Sequence, residues 1–241
     1  MAGTLLLRGM LVGIIAGFLV FAFARMIGEP QVERAIAFEA KLDQAKGEAP
    51  EPELVSRKVQ RGVGLLIGTV VYAAAIGGLF ALVFAYAYGR LGNFGPRALS
   101  ALLGGMGFVA IVLVPTLKYP ANPPAVGNPD TIGMRTAAYF LAIAFSIAAM
   151  VLAVQIGRRL SVRFGVWNAS LLAAGIYLAV VVTACHFLPA IDEVPAGFPV
   201  TLMWHFRIAA LEIQALLWAS IGLLFGWLTE IRTRTHRSHI A

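Results

Sequence analysis

The residue in this sequence most capable of acting on a ligand is Glu212. It lies about a third of the way into an apolar run of helical length, Phe206–Leu228. His205 precedes it by seven residues, which is two turns of a helix and therefore the same face. A carboxylate inside a membrane span is costly unless it is paired or hydrated, so a functional role is the default hypothesis. Imidazole and carboxylate together suit a borderline divalent ion such as Co²⁺ or Ni²⁺.

Other metal-capable side chains lie at the ends of apolar runs or in the proline-rich segments between them. His186 ends one such run beside Cys185, a few residues before two carboxylates. We expect the carboxylates to form an acidic outer mouth, with the histidines and Glu212 as ligands along a path. The complete candidate metal set is Glu212, His205, His186, Asp192, Glu193, Glu29, Glu33 and Asp130.

Each of these residues also has a plainer interpretation. A lone histidine at a helix end is commonly an interface residue. Glu212 would, in the alternative, only pair with an arginine across the bundle, either Arg135 or Arg207. The candidates are scattered along the chain and lack the close spacing of a clustered metal motif.

The motifs of several enzyme classes are missing from the sequence. It contains no G-x-x-x-x-G-K-[ST] loop, no H-E-x-x-H helix and no serine, histidine and carboxylate set with hydrolase spacing. Its single cysteine, Cys185, excludes an internal disulfide and a cysteine-built metal centre. We therefore expect no enzymatic activity, no ATPase of its own and no permanently bound cofactor.

The composition shows what must position the candidate residues. Of the 241 residues, 59% are hydrophobic and only 13% are charged, against roughly 45–50% and 25% in soluble domains. No soluble fold of this size can hide so much apolar surface, so the chain is an integral membrane protein. Its net charge of +7 fits anchoring to anionic lipid headgroups, because the basic residues flank apolar runs. Nucleic acid is not an expected partner.

Apolar runs of about 20 residues are long enough to cross the hydrocarbon core as helices. We predict an all-α, polytopic membrane helix bundle of about six transmembrane helices, in a single transmembrane domain covering residues 1–241. The predicted spans are Leu5–Ile27, Val63–Tyr88, Ala98–Leu117, Thr136–Ile156, Trp167–Leu188 and Phe206–Leu228.

The distribution of lysine and arginine predicts the orientation of this bundle. Nine basic residues lie in the expected inner segments and three in the short outer ones, which places both termini in the cytoplasm. The first outer loop, residues 28–62, argues against this orientation, because it carries six basic residues.

The outer loops are long and rich in proline, and proline should stiffen them. In loop 28–62, Val32–Ala45 predicts a short amphipathic helix. An arginine at the head of the next helix follows each outer loop: Arg61, Arg135 and Arg207.

Glycines at four-residue spacing predict where helices pack closely. Small residues on one helix face let two backbones approach in lipid. Such faces are Gly9, Gly13 and Gly17 on the first span, Gly64 and Gly68 on the second, and Gly222 and Gly226 on the sixth.

The loop motifs are long and unusual enough to compare with known families. They are Gly28-Glu29-Pro30 with Arg34–Ala37, Glu53–Arg57 with Val59–Gly62, Lys118–Gly127, and Asp192–Pro195 continuing through Trp204 to Arg207. Together they resemble the predicted cobalt transporter subunit CbtA of bacteria, over nearly the whole chain. The resemblance implies cobalt uptake across the cytoplasmic (inner) membrane, linked to cobalamin supply. It also implies a small one-helix, histidine-rich partner subunit called CbtB.

Two functions therefore stand as expectations. The first is a membrane subunit that takes up a divalent transition-metal ion, with transported Co²⁺ or Ni²⁺ as its cargo. The second is a structural or assembly subunit of a larger membrane complex, without conduction. Either is compatible with a homo-oligomer.

Overall fold

The computed structural model describes residues 2–47 and 54–238, and side chains within residues 3–47 and 54–231. Helix makes up 85% of the chain, and the described ranges contain no strand, so the predicted all-α class is confirmed. Glu53 of the quoted loop motif lies outside these residues. So do the side chains of three basic residues counted for orientation, Arg232, Arg234 and Arg237.

Eight α-helices follow one another in the described residues. They are α1 (Ala2–Phe23), α2 (Glu29–Lys46), α3 (Arg57–Val59), α4 (Leu65–Ala87), α5 (Pro96–Gly107), α6 (Val114–Lys118), α7 (Ile132–Phe187) and α8 (Val200–Ser238). A 3₁₀ turn, Pro129–Thr131, precedes α7.

Three π-helical segments join some of these helices end to end. They are Ala24–Gly28 between α1 and α2, Gln60–Gly64 between α3 and α4, and Phe108–Leu113 between α5 and α6. Two of them end two residues before a proline, Pro30 and Pro115. A proline ring clashes with the carbonyl four residues before it, and a π-helical turn displaces that carbonyl without ending the helix. The predicted helix Val32–Ala45 is present as part of α2. Because the π-helical turn at Ala24–Gly28 does not end the helix, α2 continues directly from the first span.

Within the described residues, five helices are long and apolar enough to cross a membrane. The prediction of six spans is therefore one too many when continuous helices are counted. The predicted fourth and fifth spans, Thr136–Ile156 and Trp167–Leu188, both fall within the helix that ends at Phe187. The five candidates are Gly3–Lys46, Arg57–Ala87, Pro96–Lys118, Pro129–Phe187 and Val200–Ile231.

The helix that unites two predicted spans is broken at Gly165. This residue has φ 74° and ψ 162°, a conformation that side chains with a Cβ strongly disfavour. The two arms of α7, residues 132–164 and 166–187, fold back on each other. The hydroxyls of Ser146 and Tyr177 lie 2.8 Å apart, although 31 helical residues would span about 46 Å in a straight helix.

The chain folds into two compact units, which are described separately. Unit 1 comprises residues 1–105, 123–125 and 199–241, and unit 2 comprises residues 106–122 and 126–198. Unit 1 contains α1, α2, α3, α4, α8 and most of α5, whereas unit 2 contains α6 and α7. The single transmembrane domain over residues 1–241 stays a prediction.

In unit 1, α1 and α4 pack backbone to backbone along the predicted glycine face of α1. A Cβ on Gly9 would collide with the backbone of Gly77, and one on Gly17 would lie 2.7 Å from the Cα of Val70. Gly9 meets the later residue and Gly17 the earlier one, so the helices are antiparallel. The second predicted face is not the partner surface: Gly68 has open space around it.

The glycines of α8 also pack as predicted, in their case against α5. A Cβ on Gly222 would lie 3.3 Å from the carbonyl oxygen of Ser100 and 3.4 Å from Gly104. The Ser100 hydroxyl donates to the Gly222 carbonyl at 2.6 Å. Arg97 at the start of α5 forms an ion pair with Glu230 near the end of α8, so these two helices are antiparallel as well.

Unit 2 is held together by an apolar core between the two arms of α7 and the adjoining α6. Its core consists of Val114, Ala149, Ala153, Tyr177 and Val181, with Cys185 packed partly against it. The Ser146–Tyr177 hydroxyl pair satisfies both polar groups in this apolar setting.

Candidate functional site

The α8 helix positions the two foremost candidates, His205 and Glu212, on one exposed face. Two exposed tryptophans, Trp204 (63% exposed) and Trp227 (52% exposed), lie near the ends of its apolar part. Tryptophan favours the membrane–water interface, and these two are separated by about 34 Å of helix. Glu212 lies about 12 Å along the helix from Trp204, so tryptophans at the two interfaces would put Glu212 within the hydrocarbon layer.

Glu212 forms no ion pair with any residue whose side chain the structure describes. The alternative partner Arg135 is engaged elsewhere, with Glu193. A charged side chain at the centre of a membrane span costs about 2.5–3.5 kcal/mol on insertion scales. For this side chain to stay ionised at such a depth, water, a cation or another protein chain has to lie beside it.

The two acidic candidates within residues 28–62 are bound to arginines. Glu29 forms an ion pair with Arg57, and Glu33 forms one with Arg61, with 2.6 Å between Oε1 and Nη1. The Arg25 side chain also donates to the carbonyl of Arg61. These pairs join the start of α2 to the chain entering α4, so both carboxylates are placed to fix the loop.

Glu193 connects the two loops at the open end of unit 2. Its carboxylate accepts a hydrogen bond from the Thr131 hydroxyl at 2.5 Å and another from the backbone N–H of Asn128 at 2.8 Å. The Arg135 guanidinium lies 3.4 Å away. The Thr131 and Asn128 hydrogen bonds, with a smaller contribution from Arg135, lower the pKa of Glu193 below its ordinary value.

The remaining candidates, Asp130, Asp192 and His186, are exposed on unit 2. His186 is the second residue from the end of α7 and makes an edge-to-face contact with Phe187, at 5.5 Å between ring centroids. Their exposure leaves the three side chains accessible to an incoming ion. The structure does not bring them into one cluster.

No group of three or more His, Cys, Asp or Glu side chains within the described ranges is arranged to hold a metal ion. Transition-metal ions in proteins take about four ligands. The predicted metal set stays a prediction, because its members lie in pairs or alone and not around one centre. The structure gives this chain accessible ligands rather than a closed site.

Sequence analysis missed the polar contacts inside unit 2. Ser146 and Tyr177 are buried and joined, and the Tyr119 hydroxyl donates to the Pro189 carbonyl at 2.9 Å. Partial burial is the larger cause of a raised Tyr119 pKa, and the nearby Cys185 adds to it. The sequence shows only that these hydroxyls lie in or beside apolar runs. It does not show their partners, which are 31 and 70 residues away.

Comparison with known proteins identifies one family. The chain matches the family described as "Probable cobalt transporter subunit (CbtA)" over residues 2–230. No curated protein and no solved structure is significantly similar to it. Since the match extends over nearly the whole chain and includes all the candidate residues, the chain belongs to the family of probable cobalt transporter subunits, CbtA.

Proposed function

We propose that this chain is the membrane subunit through which a divalent transition-metal ion, cobalt in the first place, enters the cell for cobalamin synthesis. The family it belongs to supports a cobalt transporter subunit. The observation that carries the role of the site is Glu212: an exposed carboxylate without an ion-pair partner in the described residues, at hydrocarbon depth and on the same helix face as His205.

His205 and Glu212 would act in sequence along α8. Their side chains are two turns apart, about 10 Å along the axis, so they mark two successive positions of an ion. Imidazole and then carboxylate would replace part of the hydration shell of the ion. Asp130, Asp192 and His186 would attract the ion at the outer surface, whereas Glu29, Glu33 and Glu193 would hold the loops.

The energy for this passage would come from outside the chain. An inward-moving cation gains about 2.3 kcal/mol per charge for each 100 mV of membrane potential. For a divalent ion this gain is large enough to concentrate it without nucleotide hydrolysis. A small one-helix, histidine-rich subunit of the CbtB type would supply the ligands that this chain lacks. The proposed location is the bacterial cytoplasmic membrane, with both termini inside.

Uptake of radioactive cobalt by cells that lack other cobalt importers tests this proposal. Cells producing the chain together with its partner subunit should accumulate cobalt, and Glu212→Gln should lower the initial rate at least tenfold. His205→Ala should lower it by a smaller factor, because water can replace one imidazole ligand. The matched control is Glu39→Gln on α2, which changes the same chemical group in the polar part of that helix.

The structural or assembly role remains the second candidate. It is favoured by the ion pairs that engage Glu29, Glu33 and Glu193 and by the scattered ligands. Under this role, cobalt uptake would be equal with and without the chain, or unaffected by Glu212→Gln in amounts of protein matched by immunoblot. Either result would contradict the transport proposal.

A further inference from the structure

The turn between the two arms of α7 carries three arginines that no acidic side chain of the described residues neutralises. Arg158, Arg159 and Arg163 are exposed, and none of them forms an ion pair with a residue whose side chain is described. The sequence contains no Asp or Glu from residue 131 to residue 191. Arg135, near the start of the same helix, is by contrast paired with a glutamate. The negative charge that neutralises the turn therefore has to come from outside the described residues.

These arginines share one face of the helix with an exposed valine. At about 100° per residue, Arg158, Val162, Arg159 and Arg163 follow one another within about 140° of the helix circumference. Val162 is 92% exposed. Arg158 and Arg163 lie about 7.5 Å apart along the axis, and the headgroup layer of one leaflet is about 5–8 Å thick. The face therefore offers guanidinium groups and apolar surface together, over the depth of one headgroup layer.

The other side of the turn is apolar and equally exposed. Val166 is 75% exposed and Trp167 is 76% exposed, and tryptophan favours the membrane–water interface. Both arms belong to a helical segment, Pro129–Phe187, that is long and apolar enough to cross a membrane. Arms that cross the bilayer would hold this turn at its surface, where phosphate groups and the first part of the acyl chains are accessible.

The turn presents its side chains on a backbone that is well fixed. A Cβ on Gly157 would lie 3.0 Å from the Cβ of Ala173 and 3.6 Å from the carbonyl oxygen of Ala169, so the arms are in close contact where the basic face begins. The Asn168 side chain donates to the Phe164 carbonyl at 3.2 Å across the helix break. Because the backbone is already ordered, binding costs less conformational entropy.

We propose that the turn between the arms of α7 binds an anionic phospholipid, with Arg158, Arg159 and Arg163 on its phosphate and Val162 and Trp167 against its acyl chains. Guanidinium groups bind phosphate through paired, charge-assisted hydrogen bonds. An acidic protein segment would neutralise the arginines, but it would not use the exposed valine and tryptophan at a membrane surface. The proposal goes beyond the proposed function, because lipid binding requires neither cobalt nor transport.

Fluorescence of Trp167 in vesicles tests the site directly. The full chain carries Trp204→Phe, Trp218→Phe and Trp227→Phe, which leaves Trp167 as its only tryptophan. Lipids with brominated acyl chains quench a tryptophan that they contact. Brominated phosphatidylglycerol should quench Trp167 with an apparent affinity higher than that of brominated phosphatidylcholine by a factor of about 5 or more, which one arginine near an anionic surface would supply. Equal quenching by the two lipids overturns the proposal.

Substitution of the arginines tests their role. The combined changes Arg158→Gln, Arg159→Gln and Arg163→Gln should remove the preference for phosphatidylglycerol. Quenching by phosphatidylcholine should stay unchanged, which shows that the turn is folded and still at the membrane. Arg163→Gln alone should lower the preference in part, and a preference that survives all three changes overturns the proposal.

Two controls separate this site from general charge effects and from a free anion. Arg34→Gln, Lys41→Gln and Lys46→Gln remove three exposed charges from α2 and should leave the preference intact; an equal loss would overturn a local site. Inorganic phosphate at matched ionic strength should not reduce quenching by phosphatidylglycerol. Displacement of the lipid by phosphate would show a site for a free anion and overturn the lipid assignment.

Discussion

Acidic side chains in this chain differ in role according to what lies beside them. Glu29, Glu33 and Glu193 each have an arginine partner that fixes a loop. Glu212 has none among the described residues and lies within an apolar helix long enough to cross a membrane, where a charge is costly. Residue type alone does not distinguish these two roles, because the arginines that neutralise the loop carboxylates are 28 or more residues away in sequence or on another helix.

The Glu193 contacts predict how loop order depends on pH. The pKa of this carboxyl is lowered in the folded chain from an ordinary 4.5, so its contribution to stability is complete above that value. The contribution is lost as the pH falls through the lowered pKa, since protonation removes the charge that Thr131, Asn128 and Arg135 stabilise. Hydrogen exchange at the Asn128 amide, corrected for its intrinsic rate, should show several-fold less protection at pH 3 than at pH 6.

Substitution separates this effect from general acid unfolding. Glu193→Gln should give weak protection of the Asn128 amide at both pH values, whereas Asp192→Asn, which changes the exposed neighbouring carboxylate, should behave like the unaltered chain. Protection that falls equally with pH in the Glu193→Gln variant would show that another group is responsible.

Two helix pairs in unit 1 meet through contacts between backbones, whereas α4 meets α8 through the rings of Phe80, Phe84 and Phe225. The α1–α4 pair meets at Gly9, Gly13 and Gly77, and the α5–α8 pair meets at Gly104 and Gly222. Lipid tails are as apolar as the helix surfaces, so the hydrophobic effect does not drive two helices together in a membrane. Close van der Waals packing therefore has to provide the association energy. The sequence spacing indicates which faces are capable of this, but not which of them has a partner.

Replacing two glycines on the same helix tests this packing. Gly77→Ala should destabilise the chain by about 1–3 kcal/mol, because the new methyl group would meet the backbone of Gly9 and Gly13, which cannot move aside. Gly68→Ala on the same helix should be neutral or slightly stabilising, because nothing lies within 4 Å. Thermal unfolding in detergent measures both. Equal effects of the two substitutions would rule out a specific α1–α4 contact at Gly77.

At the scale of the whole molecule, the break at Gly165 decides how many times the chain can cross the bilayer. A straight helix of 56 residues would be about 84 Å long, far more than the hydrocarbon thickness of about 30 Å. The two arms are antiparallel and joined through Ser146 and Tyr177. The contact of Asn128 with Glu193 also puts the loops before and after α7 at one end of unit 2.

Thiol labelling of intact cells tests this topology and its predicted orientation. In a Cys185→Ser background, Asp192→Cys and Asp130→Cys should both react with an impermeant maleimide from outside. Arg159→Cys, near the turn between the arms, should react only after the cells are permeabilised, because basic residues favour the cytoplasmic side. Labelling of Asp192→Cys only after permeabilisation would reverse the orientation, and opposite sides for positions 130 and 192 would contradict the hairpin.

Much of the fold follows from composition and periodicity. The apolar runs locate the five helices of the described residues that are long enough to cross a membrane, since hydrocarbon leaves the backbone no other hydrogen-bond partner than itself. The spacing of Gly9, Gly13 and Gly17 identifies a true packing face. The same reasoning predicts one continuous helix too many. Two apolar runs with a basic segment between them predict two helices, whether or not the helix ends in that segment.

The sequence by itself determined the membrane class, the all-α architecture, the candidate metal-binding residues and, through its loop motifs, the family. These properties depend on residue type and short spacing. Only the tertiary structure decided that Gly77 and not Gly68 contacts α1, that Ser146 meets Tyr177, and that Glu193 is held while Glu212 is left exposed. The physical reason is that each of these outcomes depends on which distant helix or loop arrives beside a residue, and packing geometry settles that choice.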